Sequence, residues 1–259
     1  MAKPRAAHPL FVESVEKAFA VLKGVASGPA GMSISDVAAA AGLDRSAAQR
    51  YVHTLLELGY LARDENGRNL AISARALRLA GAHLQRSELV MRGQPFLAQL
   101  ARETGEAVNL TLLDGPDIVF VARYPSRHML AGDIVVGSRM PAYCSSAGRA
   151  ILSAMPDGEI AAAVGAYRLV AHTEATITDP AALTAAILRA RTKRYAICFG
   201  EYYAHDLSFA APIIGGAGRV LGAINISVSR LRHSEGAAER RFAPLVVAAA
   251  DTASGAGGA

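Results

Sequence analysis

The chain has 259 residues, enough for one large domain or two ordinary ones, and no apolar run nears the ~20 residues of a bilayer-spanning helix. Cys144 and Cys198 form no CxxC pair, which argues against a disulfide framework and a structural zinc site; neither metal nor cofactor is expected. The net charge of +5 is uneven: residues 1–86 hold 11 Lys and Arg against 7 Asp and Glu, the remainder 16 against 15. A basic N-terminal part on a nearly neutral body suggests a polyanion-binding head on a part with another task. The basic start MAKPRAAHPLF precedes no long apolar stretch with a cleavage site, so no secretory signal and a cytoplasmic location are expected.

In chain order, Val15, Ala18, Phe19, Leu22 and Ala26 make a helical stripe that ends near Gly28-Pro29. SISDVAAAA (33–41) reads as a short helix capped by Ser33 with Asp36 three residues on, and Gly42 suits its end. Asp44 is a good N-cap for a third helix, RSAAQRYVHTLLELGYL, in which Ala48, Val52 and Leu55 need a core. Tyr60–Arg63 and Asn69–Ile72 read as strands around Asn66-Gly67, a hairpin signal in which both central residues take positive φ. Helix, helix-turn-helix and hairpin together make a winged helix-turn-helix, expected over residues 10–73.

That order turns the polar side of the third helix into a candidate DNA surface. In this motif the third helix enters the major groove, first turns toward the bases. Arginine can fork onto guanine, glutamine onto adenine, and serine onto either, so Arg45, Ser46, Gln49 and Arg50 are suitable types. Ala47 and His53 complete the expected face, and Arg63 and Arg68 on the wing are placed to meet phosphates or the minor groove. A solvated face on a protein-binding winged helix is the competing reading.

Residues 74–90 read as one amphipathic linker helix, with Ala76, Leu79 and Ala80 facing the head. Beyond it helices are expected at 96–104, 145–155, 179–191 and 234–252, and strands at 108–113, 117–124, 130–137, 206–214 and 220–229, the last two joined by the glycine-rich turn GGAGR. The expected fold class is α+β, with a largely antiparallel sheet in a body spanning 91–252 and a disordered tail over 253–259.

The chain resembles the IclR family of transcriptional regulators over nearly its whole length. The resemblance is carried by VESVEKAFAVLKGVA, ISDVAAAAGLDRSAAQRYVHTLLELGYL, VGSRMPAYCSSAGRAILSAMP, RYAICFGEYYAHDLSFAAPI and GRVLGAINISVS, in that order. DRSAAQRYVHTLLELGYL and SRMPAYCSSAGRAIL look most like the branch governing breakdown of protocatechuate and p-hydroxybenzoate. The resemblance implies a homodimer, often paired into a tetramer, on a palindromic double-stranded DNA operator. It also implies a GAF-like effector-binding domain for a small metabolite, with pocket positions falling on Ser146, Ala147, Cys198, Ser208, Asn225 and Ser227. The chain departs from the pattern in lacking an acidic residue near Cys198, in carrying Ser208 where a cysteine is frequent, and in His205 where a glycine is common.

The residues themselves agree with a binding role. Ser145 and Ser146 open a helix, whose unpaired N–H groups and dipole suit a carboxylate. Asn225 and Ser227 share one face of a strand and need polar partners there, from a ligand or from neighbouring loops. Tyr143, Tyr202 and Phe209 can form an aromatic wall or simply pack, and Arg139 can neutralise an acid or sit in a surface ion pair. The expected effector is a small organic acid, aromatic by preference. Two other functions compete: a protein-interaction module, and an enzyme using Cys144 or a neighbouring serine with His172 or His205 as base. The chain has no G-x-S-x-G elbow, and GGAGR leads into a strand where a phosphate loop needs a helix, so an enzyme is not expected.

Overall fold

The computed structural model of the chain describes residues 8–126 and 134–255. The chain divides between His83 and Leu84 into two compact units. In the first, α1 (Glu13–Ser27), α2 (Ile34–Ala41) and α3 (Arg45–Glu57) precede a hairpin of β1 (Leu61–Arg63) and β2 (Leu70–Ile72). The helix ends follow the sequence. Ser33 Oγ accepts from the Asp36 N–H while the Asp36 carboxylate accepts from the Ser33 N–H, a reciprocal cap. Gly42 closes α2 at φ 64°, and Asp44 caps α3 by accepting from the Ala47 N–H at 2.8 Å.

The core of this unit gathers Val21 and Val25 of α1, Val37 of α2, and Val52 and Leu55 of α3 against Leu61 and Leu70 of the hairpin. The α1 stripe read from the sequence is rotated relative to this: Val15 and Phe19 are 52% and 54% exposed. α1 meets α2 at Gly24, where an added Cβ would stand 3.2 Å from the Ala40 Cβ, so the buried side runs through Val21 and Val25. The wing also differs. Its strands pair from Leu61↔Ile72 to Arg63↔Leu70, but the loop 64–69 is wider than a two-residue Asn-Gly turn. Gly67 has φ 68° whereas Asn66 does not have positive φ. The Asp64 carboxylate organises the loop, accepting from the Arg68 and Asn69 N–H groups (2.9 and 3.1 Å) and from Asn69 Nδ2 (2.7 Å).

The stretch read as one linker helix is two. α4 (Arg75–Arg86) stops at Ser87, whose Oγ accepts from the Val90 N–H and caps α5 (Glu88–Thr104). Leu79, expected against the head, is 61% exposed.

The second unit continues with β3 (Ala107–Asp114), β4 (Asp117–Tyr124), β5 (Arg139–Pro141), a 3-10 turn at Ala142–Cys144, α6 (Ser146–Ser153), α7 (Asp157–Ala166), α8 (Pro180–Lys193), β6 (Ala196–Phe199), β7 (Asp206–Ile214), β8 (Val220–Ser229) and α9 (Glu235–Gly255). One antiparallel sheet runs in the order β5-β4-β3-β8-β7-β6. Of the strand expected at 130–137, residues 130–133 lie outside the described residues, and 134–137 turn instead, with the Val135 N–H held by Ser138 Oγ. α7 and β6 were not expected. α9 continues past 252, with Ala253 fully buried and Ser254 Oγ accepting from the Ile214 N–H at 2.9 Å; that part of the expected tail is helix.

Both faces of the sheet are covered, which is why its central strands are buried almost without interruption. Leu207, Phe209, Ala211 and Ile213 of β7 and Ile224, Ile226 and Val228 of β8 pack with α5 and α9. The alternate residues face α6, and Ala210 and Ala223 there are small enough to admit its Ala147, Ala150 and Ile151. α6 also lies tight on the preceding turn: a Cβ at Gly148 would fall 2.2 Å from the Ala142 carbonyl oxygen. This packing fixes the start of α6 over the middle of the sheet.

Candidate functional site

In the head, Arg45, Ser46, Gln49, Arg50 and His53 are exposed along α3, and their side chains make no hydrogen bond or ion pair among the described residues. The apolar positions on the opposite side of α3 are buried. Ala47 is half-buried and serves through its N–H in the Asp44 cap. Arg63 is exposed, but its Nη1 donates to the Gly67 carbonyl at 2.8 Å and so braces the wing; Arg68 is exposed at the wing tip.

In the body, a cavity of about 50 Å³ lies where α6 begins over the sheet. Its walls include the predicted Ser146, Ala147, Cys198, Tyr202, Ser208, Asn225 and Ser227. Strand register explains the grouping: Ser208 is opposite Ser227 on one side and Cys198 on the other, while Asn225 is opposite Asn109, itself opposite Arg123. The side chains form a continuous polar row. Arg123 Nη1 donates to Asn109 Oδ1 (3.1 Å), and Asn109 Nδ2 to Asn225 Oδ1 (3.3 Å). Asn225 Nδ2 and Ser227 Oγ then donate to Ser208 Oγ at 3.3 and 3.2 Å, and Ser208 Oγ is 2.6 Å from Ser146 Oγ.

The direction of that last bond follows from valence. A hydroxyl has two acceptor sites and one proton; both acceptor sites of Ser208 are taken, so its proton goes to Ser146. The Ser146 proton is then left for the cavity. Beside it, the N–H groups of Ser146 and Ala147 have no acceptor among the described residues, whereas those of Gly148 and Arg149 are held by Ser145 Oγ and O at 3.0 and 3.1 Å. Donors therefore converge at the start of α6, at the positive end of its dipole, an arrangement suited to a carboxylate.

Three predicted wall residues are elsewhere. Arg139 is held at the surface by Asp114 (2.6 Å) and Asp117 (3.1 Å), which raise its pKa, and is not part of the cavity. Tyr143 is buried among Leu152, Ile160 and Leu183, its hydroxyl donating to the Val170 carbonyl at 2.7 Å. Phe209 lies on the other face of β7, against Phe199 and Phe242. Among the described residues the cation lining the cavity is Arg123, which sequence reasoning missed; burial lowers its pKa, partly offset by Tyr203 and Asp206.

Glu201 and Asp206 were also missed. Glu201 and Arg149 are 7% and 3% exposed and joined by two bonds, Nη1 to Oε1 at 2.6 Å and Nη2 to Oε2. Burial acts against the Arg149 charge, but Cys198 and Glu201 outweigh it, so its pKa is raised. This pair supplies the acid near Cys198 that the sequence comparison found wanting, three residues further along. Asp206 is half-buried, yet its Oδ1 is shut off from solvent with no hydrogen-bond partner, and burial pushes its carboxyl up to about 7.

Neither cysteine is activated as a nucleophile. Burial pushes the Cys144 thiol up to about 12 and the Cys198 thiol well above its ordinary value, which leaves both protonated at neutral pH. His172, proposed as a base, lies 3.1 Å from the Tyr143 hydroxyl. Among the described residues no His, Cys, Asp and Glu cluster is placed to hold a metal, and no helix is long and apolar enough to cross a membrane.

A winged helix-turn-helix head and a body with a polar-floored cavity are the build of a ligand-responsive transcription regulator. The chain belongs to the IclR family: residues 14–65 match the IclR helix-turn-helix domain and residues 81–255 the bacterial transcriptional regulator IclR C-terminal domain. It is 34% identical over 244 residues to the Pca regulon regulatory protein of Pseudomonas putida, across 93% of this chain and 82% of that protein. A solved transcriptional regulator of Rhodococcus sp. RHA1 is similar at 33% identity and TM-score 0.83, over 95% of this chain and 98% of the other. The fold is shared with an IclR homologue of Microbacterium hydrocarbonoxydans complexed with 4-hydroxybenzoate (22% identity, TM-score 0.80, 93% and 98% covered). The protein is a DNA-binding regulator of transcription.

Proposed function

We propose that this protein senses an aromatic carboxylic acid of the hydroxybenzoate class and controls genes for aromatic-acid breakdown. The observation that carries the reading is the set of donors at the start of α6, the Ser146 hydroxyl and the Ser146 and Ala147 N–H groups, aimed into a cavity with apolar walls at Ile118, Phe120 and Met140. A carboxylate satisfies the donors and a ring suits the walls. The Pca regulon regulator and the 4-hydroxybenzoate complex among the similar proteins support the same ligand class. At roughly 10–15 Å³ of such space per water, the cavity holds a few waters as it stands. A ring must displace its walls on entry, which gives occupancy a mechanical consequence.

On the DNA side, α3 reads the major groove of a palindromic operator through Arg45, Ser46, Gln49 and Arg50, with Ala47 and His53 alongside, while Arg63 and Arg68 approach the backbone from the wing. A palindrome calls for two heads. Val15 and Phe19 of α1, with Val12 just before it, are 52%, 54% and 56% exposed, an apolar stripe suited to pairing in a homodimer or tetramer.

Isothermal titration with 4-hydroxybenzoate is the test. The expected result is binding that weakens about 5- to 20-fold in Ser146→Ala, from loss of one charge-assisted bond. Absence of heat with a panel of aromatic acids refutes the ligand class.

A further inference from the structure

We propose that Asp206 reads a hydrogen-bond donor on the effector, so that the cavity selects hydroxylated aromatic acids over their unsubstituted parents. The proposal rests on the aromatic-acid reading above and adds to it the group that sets specificity.

The argument begins with an orphan. Asp206 Oδ1 is closed off from solvent and the fold gives it no donor, although its residue lines the cavity. Of the neighbouring polar groups, Asn225 Nδ2 donates to Ser208 and Ser227 and Arg123 donates to Asn109, while Ser227 Oγ, which donates to Ser208, also holds the pKa of the Asp206 carboxyl down without supplying a donor to Oδ1. Arg123 makes no ion pair with Asp206 within 4.0 Å, although the two feel each other's charge. A buried acceptor without a donor is costly, so the donor must come from whatever fills the cavity.

Position matches the need. Asp206 is two residues from Ser208 on the same face of β7, about 7 Å along the strand. Ser208 is bonded to Ser146, so the carboxylate-binding donors mark one end of this span and the lone acceptor the other. One benzene ring with a carboxylate and a para hydroxyl bridges such a gap. The cavity thus offers donors where the ligand has only acceptors, and an acceptor where it has a donor. The enclosed Oδ1 is out of reach of water until the walls move; a ligand that moves them without bringing a hydroxyl leaves the acceptor unpaired, whereas the hydroxyl pairs it.

The experiment is calorimetric titration of the full-length wild type, Asp206→Ala and Asp206→Asn with 4-hydroxybenzoate, 4-aminobenzoate, 4-methoxybenzoate and benzoate, each variant first checked for a wild-type circular dichroism spectrum. The wild type is expected to bind the two donor-bearing acids about 10- to 100-fold more tightly than the other two. Asp206→Ala should bring all four within about 3-fold, mainly by weakening the donors, while Asp206→Asn, which keeps an acceptor oxygen, retains part of the preference. Equal wild-type affinity for benzoate and 4-hydroxybenzoate overturns the proposal, and so does a preference that persists in Asp206→Ala. Either result leaves the aromatic-acid reading in place. Failure of all four acids to bind the wild type overturns that reading, and this inference with it.

Discussion

Replacing Arg149 with methionine should destabilise the second unit severely, and the structure sets the size of the loss. Arg149 and Glu201 are 3% and 7% exposed, and each has further ties: Arg149 Nε donates to the Tyr143 carbonyl at 2.9 Å, and Glu201 Oε2 accepts from the Ile177 N–H at 3.3 Å. Arg149→Met leaves the Glu201 carboxylate enclosed with only a backbone N–H. Breaking one side of such a buried pair costs about 3–5 kcal/mol, mostly the desolvation of the stranded charge. For a unit of this size a loss of 1 kcal/mol lowers Tm by roughly 2–4 °C, so a drop of about 6–20 °C is expected. Removing both charges should cost less than removing one, because no ion is then stranded. Thermal unfolding by calorimetry of Arg149→Met, Glu201→Met and the double variant at pH 7.5 forms a complete cycle. Single and double variants all melting within about 2 °C of wild type would falsify the buried-pair argument.

Three other variants test separate parts of the account. The Asp206 carboxyl titrates at about 7 in the folded chain, above its ordinary 3.8, so the folded state holds its proton more tightly and wild-type stability falls as pH rises through that window. Asp206→Asn should therefore gain on wild type between pH 4 and pH 7.5, by at most about 4 kcal/mol at ~1.4 kcal/mol per unit, and parallel melting curves across that range would contradict it. Arg45→Ala with Arg50→Ala should weaken operator binding and flatten its dependence on salt by up to about 2 in the log–log slope, read by fluorescence anisotropy; unchanged affinity and slope remove these two arginines from the DNA interface. Gly148→Ala puts a methyl group 2.2 Å from the Ala142 carbonyl oxygen, so the start of α6 must shift, at about 1–3 kcal/mol and with weakened effector binding; wild-type Tm and affinity together would show that α6 has slack there.

What could be read from the sequence was local. Ser33, Asp36, Gly42 and Asp44 act on neighbours within a few residues, and all four perform the capping roles expected of them. The long β7 and β8 and the turn between them were legible for the same reason. The errors arose where partners are remote. Arg139 finds its carboxylates 25 and 22 residues earlier in the chain, whereas Arg123 is brought to the cavity by its register with Asn109, and neither pairing leaves a mark in the local pattern. One error was avoidable: Ser208 and Phe209 are adjacent on a strand and must face opposite ways, so both could not line one pocket. Asp206, a charge opening an otherwise apolar strand, was likewise a visible signal. α7, rich in alanine and glycine, gave no apolar stripe to follow; only Ile160 and Val164 are buried on it.

The central claim is that an aromatic acid in the body alters the grip of the head on DNA. The direct measurement is a titration of the full-length protein against its own upstream intergenic DNA, with and without saturating 4-hydroxybenzoate, by fluorescence anisotropy. A change in operator affinity of at least about 5-fold, in either direction, is the predicted result for two coupled sites. Superimposable curves, with calorimetry showing the acid bound under the same conditions, would contradict it.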